Sequence, residues 1–263
     1  MTAYGVLRPV NPVAGVLLAH NPSPMTLDGT NSWVLRAPGE RSCIVVDPGP
    51  DDAAHLDALA AAGPVALILL THRHADHTAG IPGLHSRTGA PVRAADPEFC
   101  VAAEPLRDGE SIAAAGLELR VLATPGHTTD SVSFVRPDAV LTGDTILGRG
   151  TTVVAHPDGR LGPYLASLRR LAELGARAVL PGHGPDRPDL SAVAAEYLEH
   201  RMRRLDQVRA VAGSPAEIVR QVYADVDPAL WPAAELSVRA QLEYLRDSRV
   251  RPVPSKGEHP DQQ

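Results

Sequence analysis

The sequence predicts an α/β fold through about residue 190, followed by a small helical unit. Three observations carry this. Short β-branched runs alternate with turn residues and helical patterns up to that point. Beyond "PGHGPDRPD" (181–189) the pattern becomes nearly continuous helix. Hydrophobic residues make up 44 % and charged residues 21 %, as in a globular chain whose core is filled mainly by Ala, Val and Leu.

Taken in order, strands are expected at 15–19, 31–36, 42–47, 65–71, 91–95, 117–124, 131–135, 139–143 and 177–182. Helices fit 51–62, 76–88 and 163–174, the last with Tyr164, Leu165, Leu168 and Leu171 on one stripe. In the second unit, Ser191 opens a helix reaching Val211. Ser214, Pro215 and Glu217 then form a capping-box start, and a further helix fits 228–246. Trp231, Leu236, Val238, Leu242 and Leu245 are its expected core. The expected organisation is a catalytic domain over 1–190, a helical domain over 191–251 and a disordered tail over 252–263.

The net charge of −6 argues against holding nucleic acid by bulk electrostatics, while leaving local binding open. Cys43 and Cys100, with no CxxC spacing, read as two buried free thiols. The N-terminus lacks an apolar signal region and no run is long enough to span a bilayer, so no membrane partner is expected and the cytoplasm is the expected compartment. Nothing in the sequence indicates a homo-oligomer.

The chemistry is concentrated in "THRHADH" (71–77), where a buried-strand pattern ends. His72, His74, Asp76 and His77 are too closely spaced to share one helical face, so an irregular turn must aim them inward. Buried together they call for a cation, and imidazole with carboxylate suits Zn, Mn or Fe. Three later segments each place one donor beside Gly or Pro at a strand end: "TPGHTTD" with His127, "LTGDT" with Asp144 and "LPGHGP" with His183. Five His and two Asp suffice for two metals with a shared carboxylate.

This HxHxDH motif, followed by single His, Asp and His in that order, resembles the metallo-β-lactamase-fold hydrolases over residues 15–190. The resemblance implies an αββα sandwich with two divalent metal ions at one edge, zinc first, with Mn or Fe as alternatives. It assigns His72, His74 and His127 to one metal, Asp76, His77 and His183 to the other, and Asp144 to the bridge. Asp47 in "VVDPG" matches an aspartate that supports the site from behind. The implied nucleophile is a metal-bridging hydroxide, and Asp76 can also orient that water or shuttle its proton.

Within this superfamily the chain resembles the lactamase-beta-like protein 2 group through "NPSPMTLDGTNSWVL", "LLTHRHADHTAG", "TPGHTTDSVSF" and "LTGDTILGRGTTVV", and through a winged-helix-like C-terminal region. That group contains endoribonucleases, so cleavage of phosphodiesters in single-stranded RNA is the first expectation. A glyoxalase II-like thioesterase or other small-ester hydrolase is the alternative, and a mononuclear iron persulfide dioxygenase comes third. Thr145, Arg149 and Thr151 are candidates to face the substrate. Thr30 and Asn31 fall in a segment that the group carries near the site. Arg201 and Arg204 share a helix face that could meet a phosphate chain.

Overall fold

The computed structural model describes residues 3–250. The expected tail at 252–263 lies outside them. The strands are β1 (Arg8–Pro9), β2 (Ala14–Leu18), β3 (Asn31–Leu35), β4 (Cys43–Val46), β5 (Val65–Leu69), β6 (Val92–Arg93), β7 (Ser111–Ala114), β8 (Leu117–Ala123), β9 (Val132–Val135), β10 (Ala139–Gly143) and β11 (Ala178–Pro181). The helices are α1 (Ala53–Ala61), α2 (Ala75–Thr78), α3 (Ile81–Thr88), α4 (Leu161–Ala172), α5 (Leu190–Ala210), α6 (Pro215–Val222) and α7 (Trp231–Val250).

One sheet runs β1-β2-β3-β4-β5-β6, antiparallel up to β4 and parallel from β4 to β6; the other runs β11-β10-β9-β8-β7, antiparallel except for β10 with β11. Their facing sides interdigitate Trp33, Leu35, Ile44 and Leu69 with Val121, Phe134, Leu141 and Leu180, all buried. The outer face of the first sheet, including Val45 and Ile68, packs on Leu56 and Leu59 of α1 and on Ile81 and Leu84 of α3. The outer face of the second packs Leu122, Val140 and Val179 on α4 and α5. Because both faces of the central strands are covered, β4 and β5 read as unbroken apolar runs. This is the expected αββα sandwich.

Several boundaries differ from the sequence reading, each for a local reason. The single helix expected at 76–88 is two, α2 and α3, separated at Gly80, whose N–H donates to the Gly49 carbonyl at 2.9 Å. Pro82 sits in the first turn of α3, where its missing N–H is tolerated. The hairpin β7–β8 was not expected at its first strand. Its alanine-rich sequence hides a two-residue turn in which Ala115 and Gly116 both have positive φ.

The helix α5 begins at Leu190, not Ser191, because Asp189 is its cap, accepting from the Ala192 N–H at 3.1 Å. The capping box at Ser214 is present as expected. Leu190, Val193 and Tyr197 of α5 belong to the layer covering the second sheet, whereas Val208 near its end joins Ile218, Val219 and Val238 in a separate helical core. Trp231, Leu242 and Leu245 pack against that core as expected. Leu236 does not: it is 39 % exposed, because two residues from Ala234 and Val238 it lies around the helix from the stripe they define. Cys43 is buried as expected, but Cys100 is only half-buried; both are free. Among the described residues no helix is long and apolar enough to cross a membrane.

Candidate metal centre

All seven expected donors meet at one edge of the sandwich, drawn from both sheets. His72 follows β5, His74 caps α2 and Asp76 and His77 lie within it. A single short turn of helix thus takes the place of the irregular turn expected there. His127 lies in the β8–β9 connection, Asp144 follows β10 and His183 follows β11.

The hydrogen bonds behind the histidines decide which nitrogens point inward. His127 Nδ1 lies 2.8 Å from the Val153 carbonyl and His183 Nδ1 3.0 Å from the Gly29 carbonyl, so both carry their proton on Nδ1. His77 Nδ1 donates to Asp47 Oδ2 at 2.9 Å. Thr71 Oγ1 donates to Asp47 Oδ2 at 2.7 Å, which leaves its lone pair to accept from His72 Nδ1 at 3.1 Å. In their neutral form four imidazoles are thereby held as the tautomer with a bare Nε2. His74 differs, presenting Nδ1.

The bare nitrogens converge. His74 Nδ1 lies 3.0 Å from both His72 Nε2 and His127 Nε2. Lone pairs packed this closely repel unless a cation sits among them, so the donors fit a metal. A second group forms from His77 Nε2 and His183 Nε2, 3.3 Å apart, with Asp76 Oδ2 at 3.3 Å and 3.1 Å from them. Asp144 Oδ2 stands between the groups, 3.3 Å from His183 Nε2 and 3.8 Å from His127 Nε2. Its Oδ1 is buried with no hydrogen-bond partner, an orphan that a cation satisfies. Three sets of donors, His72/His74/His127, His72/His77/Asp144 and Asp76/His77/His183, each have their atoms within 4.8 Å of one another.

Electrostatics follow from this crowding. Burial pushes the His72 and His74 imidazoles down and His127 to about 4, keeping them neutral and able to donate a lone pair. Burial would also lower His183, but the Asp144 carboxylate outweighs it and raises His183 to about 9. His77 is likewise raised, against burial, by Asp144 and Asp47. Burial alone would raise Asp144 and Asp76; the neighbouring His183 and His77 instead hold both well below the usual carboxylate range. His77 and His183 therefore take up a metal in competition with a second proton, on Nε2, whereas His72, His74 and His127 offer neutral donors.

The backbone is shaped to this cluster. A Cβ on Gly182 would lie 2.3 Å from Asp144 Oδ1, so only glycine lets β11 end so close to this carboxylate. Asn31 Nδ2 donates to the carbonyls of Pro181 and Gly184 at 3.0 Å and 2.8 Å, and Trp33 Nε1 reaches Pro181 at 3.0 Å, tying the first sheet to the His183 turn. Thr30 Oγ1 donates to Asp76 Oδ2 at 3.3 Å. Thr30 and Asn31, whose roles sequence alone did not define, are thus tethers for two donors.

A cavity of about 340 Å³ opens onto His127 and Asp144. Arg149 and Thr151, the candidates to face a substrate, line this cavity, although Arg149 is held by a bidentate pair with Asp28 at 2.6 Å and 3.0 Å. Thr145 does not face it. Its side chain is buried, donating to Thr124 Oγ1 at 3.3 Å, because Tyr164 Oη holds its carbonyl inward at 2.7 Å.

The expected phosphate face of α5 is also corrected. Arg201 is 7 % exposed; its guanidinium donates to the Thr152 carbonyl and lies 5.1 Å from the Tyr164 ring centroid. Arg204 stacks 4.7 Å from the Tyr223 ring centroid and pairs with Asp225 at 3.2 Å and with the Val222 carbonyl. Both face inward because α5 is covered by the 145–153 loop and by α6. His200, with no metal spacing in the sequence, lines the cavity all the same.

Comparison with known proteins agrees with this architecture. Residues 25–183 match the family model described as the metallo-beta-lactamase superfamily, and residues 214–251 match the beta-lactamase associated winged helix domain. A beta-lactamase-like protein 2 homolog of Caenorhabditis elegans is 33 % identical over 249 residues, 87 % of this chain and 82 % of that protein. The atrochrysone carboxyl ACP thioesterase of Aspergillus fumigatus is 34 % identical over 203 residues, 73 % of this chain and 62 % of that one. A crystal structure of a metallo-beta-lactamase family protein from Thermus thermophilus superposes with a TM-score of 0.76 at 27 % identity, covering 92 % of this chain and 95 % of that one. Fold, donor set and sequence agree: the chain belongs to the metallo-beta-lactamase superfamily, as a hydrolase with an associated winged-helix domain.

Proposed function

We propose that this hydrolase cleaves carboxylic esters or thioesters bearing an apolar acyl group, with two divalent metal ions, zinc first and Mn or Fe as alternatives. One observation carries the choice. The cavity reaching His127 and Asp144 is walled by Met25, Leu27, Leu147, Val153, Val226 and Leu230, and its three arginines are already engaged by Asp28, Thr152 and Asp225. This apolar part of the lining suits an acyl ligand, while Thr151, Thr152, His200 and Ser237 line the remainder and can meet its polar end. One relative is itself named a thioesterase, which supports the reading.

His72, His74 and His127 would hold one ion and Asp76, His77 and His183 the other, with Asp144 shared. When bound, the ions lower the pKa of a water and polarise the scissile carbonyl. Asp76 is the more open of the two carboxylates, its side chain 27 % exposed against 11 % for Asp144, which supports a role for it in orienting a water at the centre as a hydrogen-bond acceptor. Asp47 and the carbonyls of Val153 and Gly29 keep the imidazole tautomers fixed throughout.

Cleavage of single-stranded RNA, which the motif likeness implies, needs cations free to meet successive phosphates. With Arg201 and Arg204 turned inward, the ester reading ranks above it. The test incubates zinc-loaded protein in parallel with acyl thioesters of N-acetylcysteamine, S-lactoylglutathione, single-stranded RNA and bis(4-nitrophenyl) phosphate, with metal content by elemental analysis. Two metals per chain, thioester turnover and intact RNA are the expected result. RNA cleavage with inert thioesters overturns the ester reading.

A further inference from the structure

The helical unit adds no donor to the metal centre, yet it supplies much of the cavity wall. Tyr223, Val226, Leu230 and Ala233 line the same cavity as His127 and Asp144. All four are half-buried, so part of their apolar surface is turned away from the helical core of Val208, Ile218, Val219 and Val238. The turn that presents them is fixed. Asp227 caps the 3-10 turn Pro228–Leu230 by accepting from the Ala229 N–H at 2.9 Å, and Trp231 Nε1 donates to the Val226 carbonyl at 3.1 Å. An apolar wall on rigid supports, continuous with the donor cluster, is built for a non-polar portion of the same substrate.

We propose that the side chains of Tyr223, Val226, Leu230 and Ala233 form the acyl subsite and act as a ruler for chain length, so that the substrate is a thioester or ester whose alkyl chain they limit. The proposal rests on the ester-hydrolase reading: the carbonyl lies at the metal donors and the alkyl tail runs against Val226, Leu230 and Ala233. Each methylene buried there raises kcat/KM about fourfold until the tail meets the wall. Ala233 is the measuring residue, because its small side chain leaves the room that a larger one would fill.

The experiment measures kcat/KM for N-acetylcysteamine thioesters from acetyl to tetradecanoyl, and binding of decanoate by calorimetry, in the full chain. In the wild type, kcat/KM climbs with length and then breaks. In Ala233→Phe the decanoyl-to-acetyl ratio falls at least tenfold and decanoate binding weakens in step. In Val226→Ala the break moves to a longer chain, so the proposal stays testable if the larger side chain disturbs folding. Ala229→Phe, on the exposed side of the same turn, leaves the ratio within twofold. Thioester turnover with a flat length profile, or equal ratios in the Ala233 and Ala229 variants, overturns the ruler and leaves the ester reading standing. If no thioester turns over, the ester reading falls; decanoate binding that is insensitive to Ala233→Phe then overturns the subsite as well.

Discussion

Replacing Asp47 by Asn tests the tautomer argument directly. Asp47 accepts three donors: the Thr71 N–H at 2.8 Å on Oδ1, and Thr71 Oγ1 at 2.7 Å and His77 Nδ1 at 2.9 Å on Oδ2. Asparagine suits the positive φ of 56° at this position and keeps an oxygen for the Thr71 N–H, so the fold is retained. Its NH2 group, however, replaces the acceptor in front of His77 with a donor. The His77 proton is then better placed on Nε2, which removes the lone pair from the second donor group. Thr71 Oγ1, facing the same NH2, turns from donor to acceptor there, and its second lone pair still accepts from His72 Nδ1, so the effect falls on His77. Losing an outer hydrogen bond of this type costs about 10- to 100-fold in metal affinity. The stabilisation conferred by saturating zinc should therefore shrink by about 1.4 to 2.7 kcal/mol. The assay is competition against a chromophoric chelator at neutral pH, paired with thermal melts with and without zinc. Zinc affinity within twofold of wild type in a folded Asp47→Asn protein would refute the tautomer argument.

Two further outcomes follow from other parts of the structure. Arg201→Met keeps bulk but removes the buried donor to the Thr152 carbonyl, so urea melts should show a loss of about 2 kcal/mol, and any RNA binding should keep its salt slope; a changed slope with unchanged stability would restore the phosphate role. His55, pushed down to about 4 by burial against a weaker opposing pull from Asp52, titrates near 6.5 once unfolded. Its folded pKa is depressed and it is a base, so its contribution is fully present above pH 6.5 and is lost as pH falls towards 4. Between pH 7 and pH 5 the loss is about 2 kcal/mol, and His55→Gln should flatten the pH slope of chelator-treated protein by that amount in urea titrations; an unchanged slope would show that His55 is not the source.

The donors were legible in the sequence because coordination demands particular side chains at strand ends, where Gly and Pro let the chain turn tightly, as at "TPGH", "TGD" and "LPGH". Asp47 was legible only through the family resemblance, at "VVDPG". What stayed hidden was orientation. Whether Thr145 faces the cavity or Thr124 depends on Tyr164, 19 residues away, which holds its carbonyl inward. Arg201 looked like half of a basic patch because charge is visible in a sequence, whereas the covering loop at 145–153 is a tertiary fact. Thr30 and Asn31 act through backbone carbonyls and one carboxylate on distant segments, contacts that leave no periodic trace. The Ala115–Gly116 turn did leave a faint one, in the glycine following four apolar residues of a strand-like run.

The partition of the donors between two sheets also sets an order of events during synthesis. His77 and His183, whose nitrogens meet in the second donor group, are 106 residues apart, and β11 is the last strand among the described residues. A nascent chain that has emerged only through Asp144, just after β10, already contains His72, His74, His127 and Asp144, yet Asn31 and Trp33 still lack the Pro181 carbonyl to which they donate. The segment that completes those two bonds also delivers the seventh donor. On the two-ion reading proposed above, the donors of one group are thus all made before β11, whereas the other group lacks His183 until that strand has been translated.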